Sequence, residues 1–146
     1  MCKSENKLAS RILFLSGNTE PDYLRCLILH GFKKLLGINC HDYPMISHLY
    51  KSYPNPFDLY GKGITYSCLL DDNLHDHNQD SDILHLIQKK YYDLIIYGSF
   101  HRGMPLYDNI IMKYPNEKII LLCGEDIHSC AYEYFKGHFI FVRELF

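Results

Sequence analysis

The sequence predicts a three-layer α/β domain, a doubly wound and mainly parallel sheet of about five strands with helices on both faces. Apolar runs without polar alternation recur at 11–15, 93–98, 118–123 and 139–144, as strands buried on both faces require. Stretches of helical period separate these runs. Each run but the last ends in a short polar segment rich in Gly, Ser, Asn or Asp, the chemistry of a turn.

In chain order, 11–15 is the first buried strand, and Ser16-Gly17-Asn18-Thr19 is the turn that ends it. Pro21 suits the first turn of a helix, where its missing N–H costs nothing. Leu24, Leu27, Ile28, Gly31, Phe32, Leu35 and Leu36 recur at helical spacing and define the face expected to pack on the sheet. Gly37 stands where a left-handed C-terminal cap is expected, and 38–43 reads as the second strand of an opening βαβ unit. The segment 44–63 is Pro- and Tyr-containing and irregular. Residues 64–70 fit either a strand or a helix start. Residues 71–82 read as a polar loop, with Asp80 or Ser81 capping a helix that carries Ile83, Leu84, Ile87 and Tyr91. After the strand at 93–98 come a helix around 106–114 stopped by Pro115-Asn116, the strand at 118–123, a short helix at 129–135, and the last strand.

The chain has 146 residues, 47% of them hydrophobic, enough for one domain with a full core. Residues 1–10 read as a flexible arm and 11–146 as a single Rossmann-like domain. Fifteen Lys and Arg against seventeen Asp and Glu leave a formal charge of −2. No nucleic-acid partner is expected, because wrapping a polyanion needs clustered positive charge. No apolar run approaches the ~20 residues of a membrane span, and the polar N-terminus is not signal-like, so a cytoplasmic protein is expected. The six cysteines contain no C-x-x-C pair, so neither a metal ribbon nor a disulfide framework is expected, and the thiols are expected reduced. Cys123, at the end of an apolar strand, reads as a small buried hydrophobe.

Ligands of open parallel sheets bind beyond the C-terminal strand ends, near the point where strand order reverses. That rule selects Ser16, Gly17, Asn18 and Thr19, then Asp42, then Ser99, His101 and Arg102, and finally Gly124, Glu125 and Asp126. The first turn precedes a helix, so its amides and hydroxyls can hold a phosphate, or Gly17 simply serves a tight turn. Arg102 can clamp a phosphate or carboxylate and His101 can act as acid or base near neutral pH; a locally bonded loop pair is the alternative. Glu125 and Asp126 can act as a base or bind a ribose, unless Asp126 only caps the next helix. Asp71, Asp72, His75, Asp76 and His77 have ligand-type side chains, but without rigid spacing a solvated loop is favoured and no metal site is assigned.

Several segments stand in one order: Leu29-His30-Gly31-Phe32 with Leu35-Leu36-Gly37, Asp42-Tyr43-Pro44, Leu59-Tyr60-Gly61-Lys62-Gly63, Asp93 to Ser99 with His101-Arg102, Gly124-Glu125-Asp126, and Arg143-Glu144-Leu145. From about residue 11 to 146 the chain resembles a bacterial family found among surface-polysaccharide and glycosyltransferase-like proteins. The resemblance implies a fold similar to one Rossmann-like half of a two-domain glycosyltransferase, a nucleotide sugar or glycan as ligand, and no resident cofactor. In that setting His101, Glu125 and Asp126 are the catalytic candidates, and Ser16, Gly17, Asn18, Thr19, Asp42, Ser99, Arg102 and Gly124 the ligand-binding ones. A half domain lacks an interdomain cleft, which leaves independent catalysis open.

Ser16-Gly17-Asn18-Thr19-Glu20, Asp93 to Gly98, and Tyr132 to Gly137 also resemble flavodoxin segments. This second, Rossmann/flavodoxin-like resemblance implies FMN as the alternative cofactor and electron transfer as the activity, with Tyr97, Phe100 or Tyr132 as the flavin platform. Tyr43, Met45, Tyr50, Tyr53, Phe57 and Tyr60 fit neither helix nor strand periodicity. They point to a loop folded over its own core, or to an interaction surface for a homo-oligomer or a second domain or chain.

Overall fold

The computed structural model describes residues 10–62, 66–124 and 137–143. The N-terminal arm, the candidates Glu125 and Asp126, the helix expected at 129–135, Tyr132 and the end of the last strand lie outside the described residues.

The five strands are β1 (Ile12–Leu15), β2 (Cys40–Tyr43), β3 (Leu94–Tyr97), β4 (Ile119–Cys123) and β5 (Phe139–Val142). They form one sheet in the order β2-β1-β3-β4-β5, every pair parallel. The expected doubly wound architecture is therefore observed. Alternation along β1 shows how the sheet is covered. Leu13 and Leu15 enter a core with Ile83, Ile87, Tyr92, Ile110 and Tyr114, beneath α2 (His77–Gln88) and α3 (Tyr107–Ile111). Ile12 and Phe14 enter another with Cys26, Leu29, Ile46, Leu49 and Tyr50, beneath α1 (Tyr23–Leu36).

The expected helices need correction in register. Asp22 caps α1, its carboxylate accepting from the Arg25 amide, so Pro21 precedes the cap rather than opening the first turn. Leu24, Ile28, Phe32 and Leu36 pack against the core beneath α1 as expected, but the most deeply buried positions of α1 are Arg25, Cys26, Leu29 and Lys33, while Leu27 is exposed and Leu35 is 81% exposed. Hydrophobicity misses the centre of this face because two of its buried members are cations with polar partners inside the fold. Gly37 ends the helix as expected, at φ +59°, its amide donating to Lys33 O. A 3-10 turn, Gly37–Asn39, then delays β2 to Cys40.

Residues 71–82 are not a solvated loop. A 3-10 turn at Asp72–Leu74 leads to a buried His75, and α2 starts at His77. Its cap is Asp76, whose side chain accepts from the Asn78 amide, not Asp80 or Ser81. Among residues 66–70 there is neither strand nor helix, only an isolated bridge from Leu70 to Tyr50. Cys123 is buried as expected, but it is disulfide-bonded rather than reduced. No helix among the described residues is long and apolar enough to cross a membrane.

Candidate functional site

The chain leaves β1 for β2 on one side and returns to β3 on the other, so the reversal of strand order falls between β1 and β3. Their ends are in register, Leu15 beside Tyr97. The backbone keeps the two exits together, Gly98 N donating to Leu15 O at 2.8 Å. This is the place where an open α/β sheet has its ligand crevice. The segment 16–20 and the segment 99–103 are its two lips.

The lips are tied to one carboxylate. Asp22 Oδ2 accepts from Ser99 Oγ at 2.7 Å and lies 3.1 Å from Arg102 Nε, while Oδ1 accepts from Arg25 N at 3.0 Å. Burial works against ionisation of Asp22. The Arg25 amide, Ser99 and the two guanidiniums outweigh it and hold the carboxyl below its ordinary value. Asp22 thus carries the negative charge at the α1 N-terminus, where the macrodipole favours it. Arg25 is fully buried, and its Nη1 donates to Asn18 O at 2.7 Å and Asn18 Oδ1 at 3.1 Å, with Nη2 on Glu20 O. The β1–α1 turn is therefore shaped by a guanidinium from inside the fold.

Beside these lips lies a cleft of about 180 Å³, open to solvent, lined by Pro21, Asp22, Tyr23, Cys26, Tyr60, Tyr66, Arg102, Gly124 and Arg143. Of the sequence-predicted residues, Arg102 and Gly124 line it directly. Ser99 supports it through Asp22. Ser16 is buried beneath the lips, and Gly17 packs against the backbone of Arg102 and Gly103. Asn18 is engaged by Arg25, Thr19 is exposed nearby, and His101 is half-buried with its ring edge-on to Phe100. Sequence reasoning missed Tyr23, Tyr66 and Arg143. They come from three separate segments, and only tertiary packing brings them together.

The aromatics of 43–60 divide between the two expectations. Tyr50 is fully buried, Tyr43, Met45 and Tyr53 are half-buried, and Phe57 and Tyr60 are exposed. The loop folds over the core at one end and offers rings to solvent at the other.

Asp42 is not in the cleft. It is the penultimate residue of β2, fully buried, and is held by several polar groups. Lys33 Nζ is 2.9 Å from Oδ1, Tyr50 Oη donates to it at 2.7 Å, Ile46 N donates to Oδ2 at 3.0 Å, and His75 Nδ1 is 3.0 Å from Oδ1. Burial alone raises the Asp42 carboxyl; His75 and Lys33 prevail and keep it well below the usual carboxylate range. The other nitrogen of His75, Nε2, lies 2.9 Å from Asp80 Oδ2 on α2. Burial disfavours the His75 cation, but its carboxylate partners raise its affinity for a proton. Stacked on His75 at 4.9 Å is His41, from β2.

The chain matches no protein-family model, no curated protein and no solved structure. The class that the fold defines is a doubly wound α/β protein with a cleft at its C-terminal strand ends, lined by both aromatic and charged side chains.

Proposed function

We propose that this is a glycosyltransferase-like domain that binds a nucleotide sugar, or a related anionic glycan ligand, in the cleft beside the α1 N-terminus. The supporting observation is the pairing of tyrosine rings from Tyr23, Tyr60 and Tyr66 with the guanidiniums of Arg102 and Arg143 in one cleft. Tyrosine faces stack on bases and pyranose rings. Arginine matches phosphate oxygens with a planar fork of donors. In this reading the guanidiniums are the anion contacts, because the Asp22 carboxylate already sits at the α1 N-terminus and holds the Arg25 amide. His101, Glu125 and Asp126 remain the candidates for any catalysis, and binding does not require them.

Thermal unfolding with nucleoside diphosphates and nucleotide sugars tests the reading. A specific ligand at 100 times its Kd adds ~2.7 kcal/mol of stability. Tyr60 is 87% exposed, so Tyr60→Ala is expected to leave the free protein's Tm unchanged. Losing one stacking face, worth about 1–3 kcal/mol, is expected to weaken binding at least fivefold. Absence of any shift at millimolar ligand defeats the reading.

The strand order supports flavin as the second reading, since this order places FMN at the β1/β3 switch point in flavodoxins. The Asp22 carboxylate on the helix amides ranks it lower, because a phosphate there meets a like charge. Quenching of FMN fluorescence by the protein would reverse the ranking.

A further inference from the structure

We propose that His41, His75 and Asp80 form a binding site for a divalent transition-metal ion of zinc type, which clamps the start of α2 to the edge strand β2. The site shares no residue with the cleft and stands independently of the proposed function. One donor atom from each of the three residues can be chosen such that all lie within 4.8 Å of one another. The nearest approaches are His75 Nε2 to Asp80 Oδ2 at 2.9 Å and His41 Nε2 to Asp80 Oδ1 at 3.0 Å. Tetrahedral zinc with bonds near 2.0–2.1 Å holds its donors about 3.3 Å apart. The two contacts must open by a few tenths of an ångström, and donors as much as 4.8 Å apart must draw in, for the three side chains to surround one ion.

The second observation is the state of His41. Its side chain is 1% exposed, and neither ring nitrogen has a hydrogen-bond partner among the described residues. Asp80 Oδ1, although 3.0 Å from His41 Nε2, is likewise without one. The two atoms thus stand at ion-pair distance but out of hydrogen-bond alignment, and each can give a lone pair. An unpaired buried imidazole costs free energy that this fold does not recover by hydrogen bonding. A cation between the two atoms satisfies both.

The surroundings are those of a metal site. With His75 Nε2 on the ion, its Nδ1–H donates to Asp42 at 3.0 Å, the carboxylate–histidine arrangement that fixes a ligand's tautomer and orientation. Lys33, 2.9 Å from Asp42, balances that carboxylate. The proton that His75 Nε2 shares with Asp80 leaves to solvent when the ion enters. Entry is from the α2 side, where Asp80 is partly exposed and His77 is exposed with its Nδ1 3.6 Å from Asp80 Oδ2. His77 or a water completes the fourth position. Imidazole with carboxylate selects zinc, nickel, cobalt or copper over magnesium or calcium, which prefer all-oxygen shells.

The full chain, stripped with chelator and dialysed, is titrated with ZnCl2 by calorimetry and with CoCl2 by absorption. One equivalent is expected to bind and raise Tm. The cobalt spectrum is expected to lack the near-ultraviolet band of thiolate ligation, which separates this site from the chain's six cysteines. Asp80→Asn and His41→Gln are each expected to abolish stoichiometric binding. Asp42→Asn, which takes the charged partner from His75 and from Lys33 without touching a proposed ligand, is expected to weaken it about 10–100-fold. Circular dichroism checks that each variant is folded, and the partly exposed Asp80 supplies a readable variant if His41→Gln does not fold. No binding by the wild-type chain, a thiolate band, or unchanged binding in folded Asp80→Asn overturns the proposal.

Discussion

Lys33→Met is expected to destabilise the protein by about 3–5 kcal/mol, the cost of leaving a buried charge without its partner. Lys33 is 1% exposed, and its ammonium touches Asp42 Oδ1 at 2.9 Å and donates to Leu74 O at 2.7 Å. Methionine keeps most of the apolar stem and removes only the charge, so the loss reports electrostatics rather than a cavity. Asp42 then keeps His75, Tyr50 and the Ile46 amide, but the sum of charge around it becomes one unit more negative. Leu74 O also loses its donor. The measurement is the urea midpoint with an unchanged m-value. Adding Asp42→Asn removes the stranded charge, so the double variant is expected to be more stable than the sum of the single effects, by about 0.5–3 kcal/mol for residues in direct contact. A loss below about 1 kcal/mol, typical of exposed pairs, would show that Lys33 reaches solvent.

The same cation explains what the sequence concealed. The sheet was legible because strands buried on both faces must be apolar throughout, and ILFL, LIIY and IILLC cannot pack any other way in a domain of this size. The polar turns at the strand ends were legible too, since a chain leaving such a strand must turn, and Gly17, Ser99 and Gly124 lie at those exits. The flank of α1 formed by Leu24, Ile28, Phe32 and Leu36 was legible as well, but the centre of its buried face was not. Periodicity scores Arg25 and Lys33 as solvent residues, yet each is buried because a distant backbone segment or carboxylate receives it. The cluster of His41, His75 and Asp80 was hidden for a related reason. His41 sits in a strand and Asp80 on a helix, 39 positions apart in the sequence, and neither has spacing that marks it. Only the run Asp71 to His77 has a local composition of ligand-type side chains. Of it, Asp71 pairs with Lys51, Asp72 accepts from Ser52, Asp76 caps α2, and His75 alone enters the buried cluster. Contacts made across a sheet edge have no local signature.

Gly17→Ala is expected to cost about 1–3 kcal/mol, and more if the lips cannot separate, and to abolish ligand binding in the adjoining cleft. A Cβ at this position falls 2.2 Å from Arg102 O, 2.5 Å from Gly103 Cα and 2.6 Å from Arg102 C. All three are backbone atoms, so no side-chain rotation relieves the overlap. Ordinary carbon contacts lie near 3.5–4.0 Å, so one lip must move by roughly 1 Å or more. The movable lip carries Arg102, whose Nε is fixed to Asp22 at 3.1 Å, and Arg102 with Asp22 lines the cleft. The substitution therefore strains the fold and displaces a proposed anion contact through one displacement. Gly31→Ala is the control. Gly31 lies on the exposed side of α1 with nothing within 4 Å of its Cβ position, and alanine there is expected to stabilise by about 0.5–1 kcal/mol through helix propensity and unfolded-chain entropy. Opposite signs at the two glycines, read from urea midpoints, separate close backbone approach from a general effect of added volume. If Gly17→Ala is neutral, the lips are not in contact in solution and the cleft is wider than the structure has it.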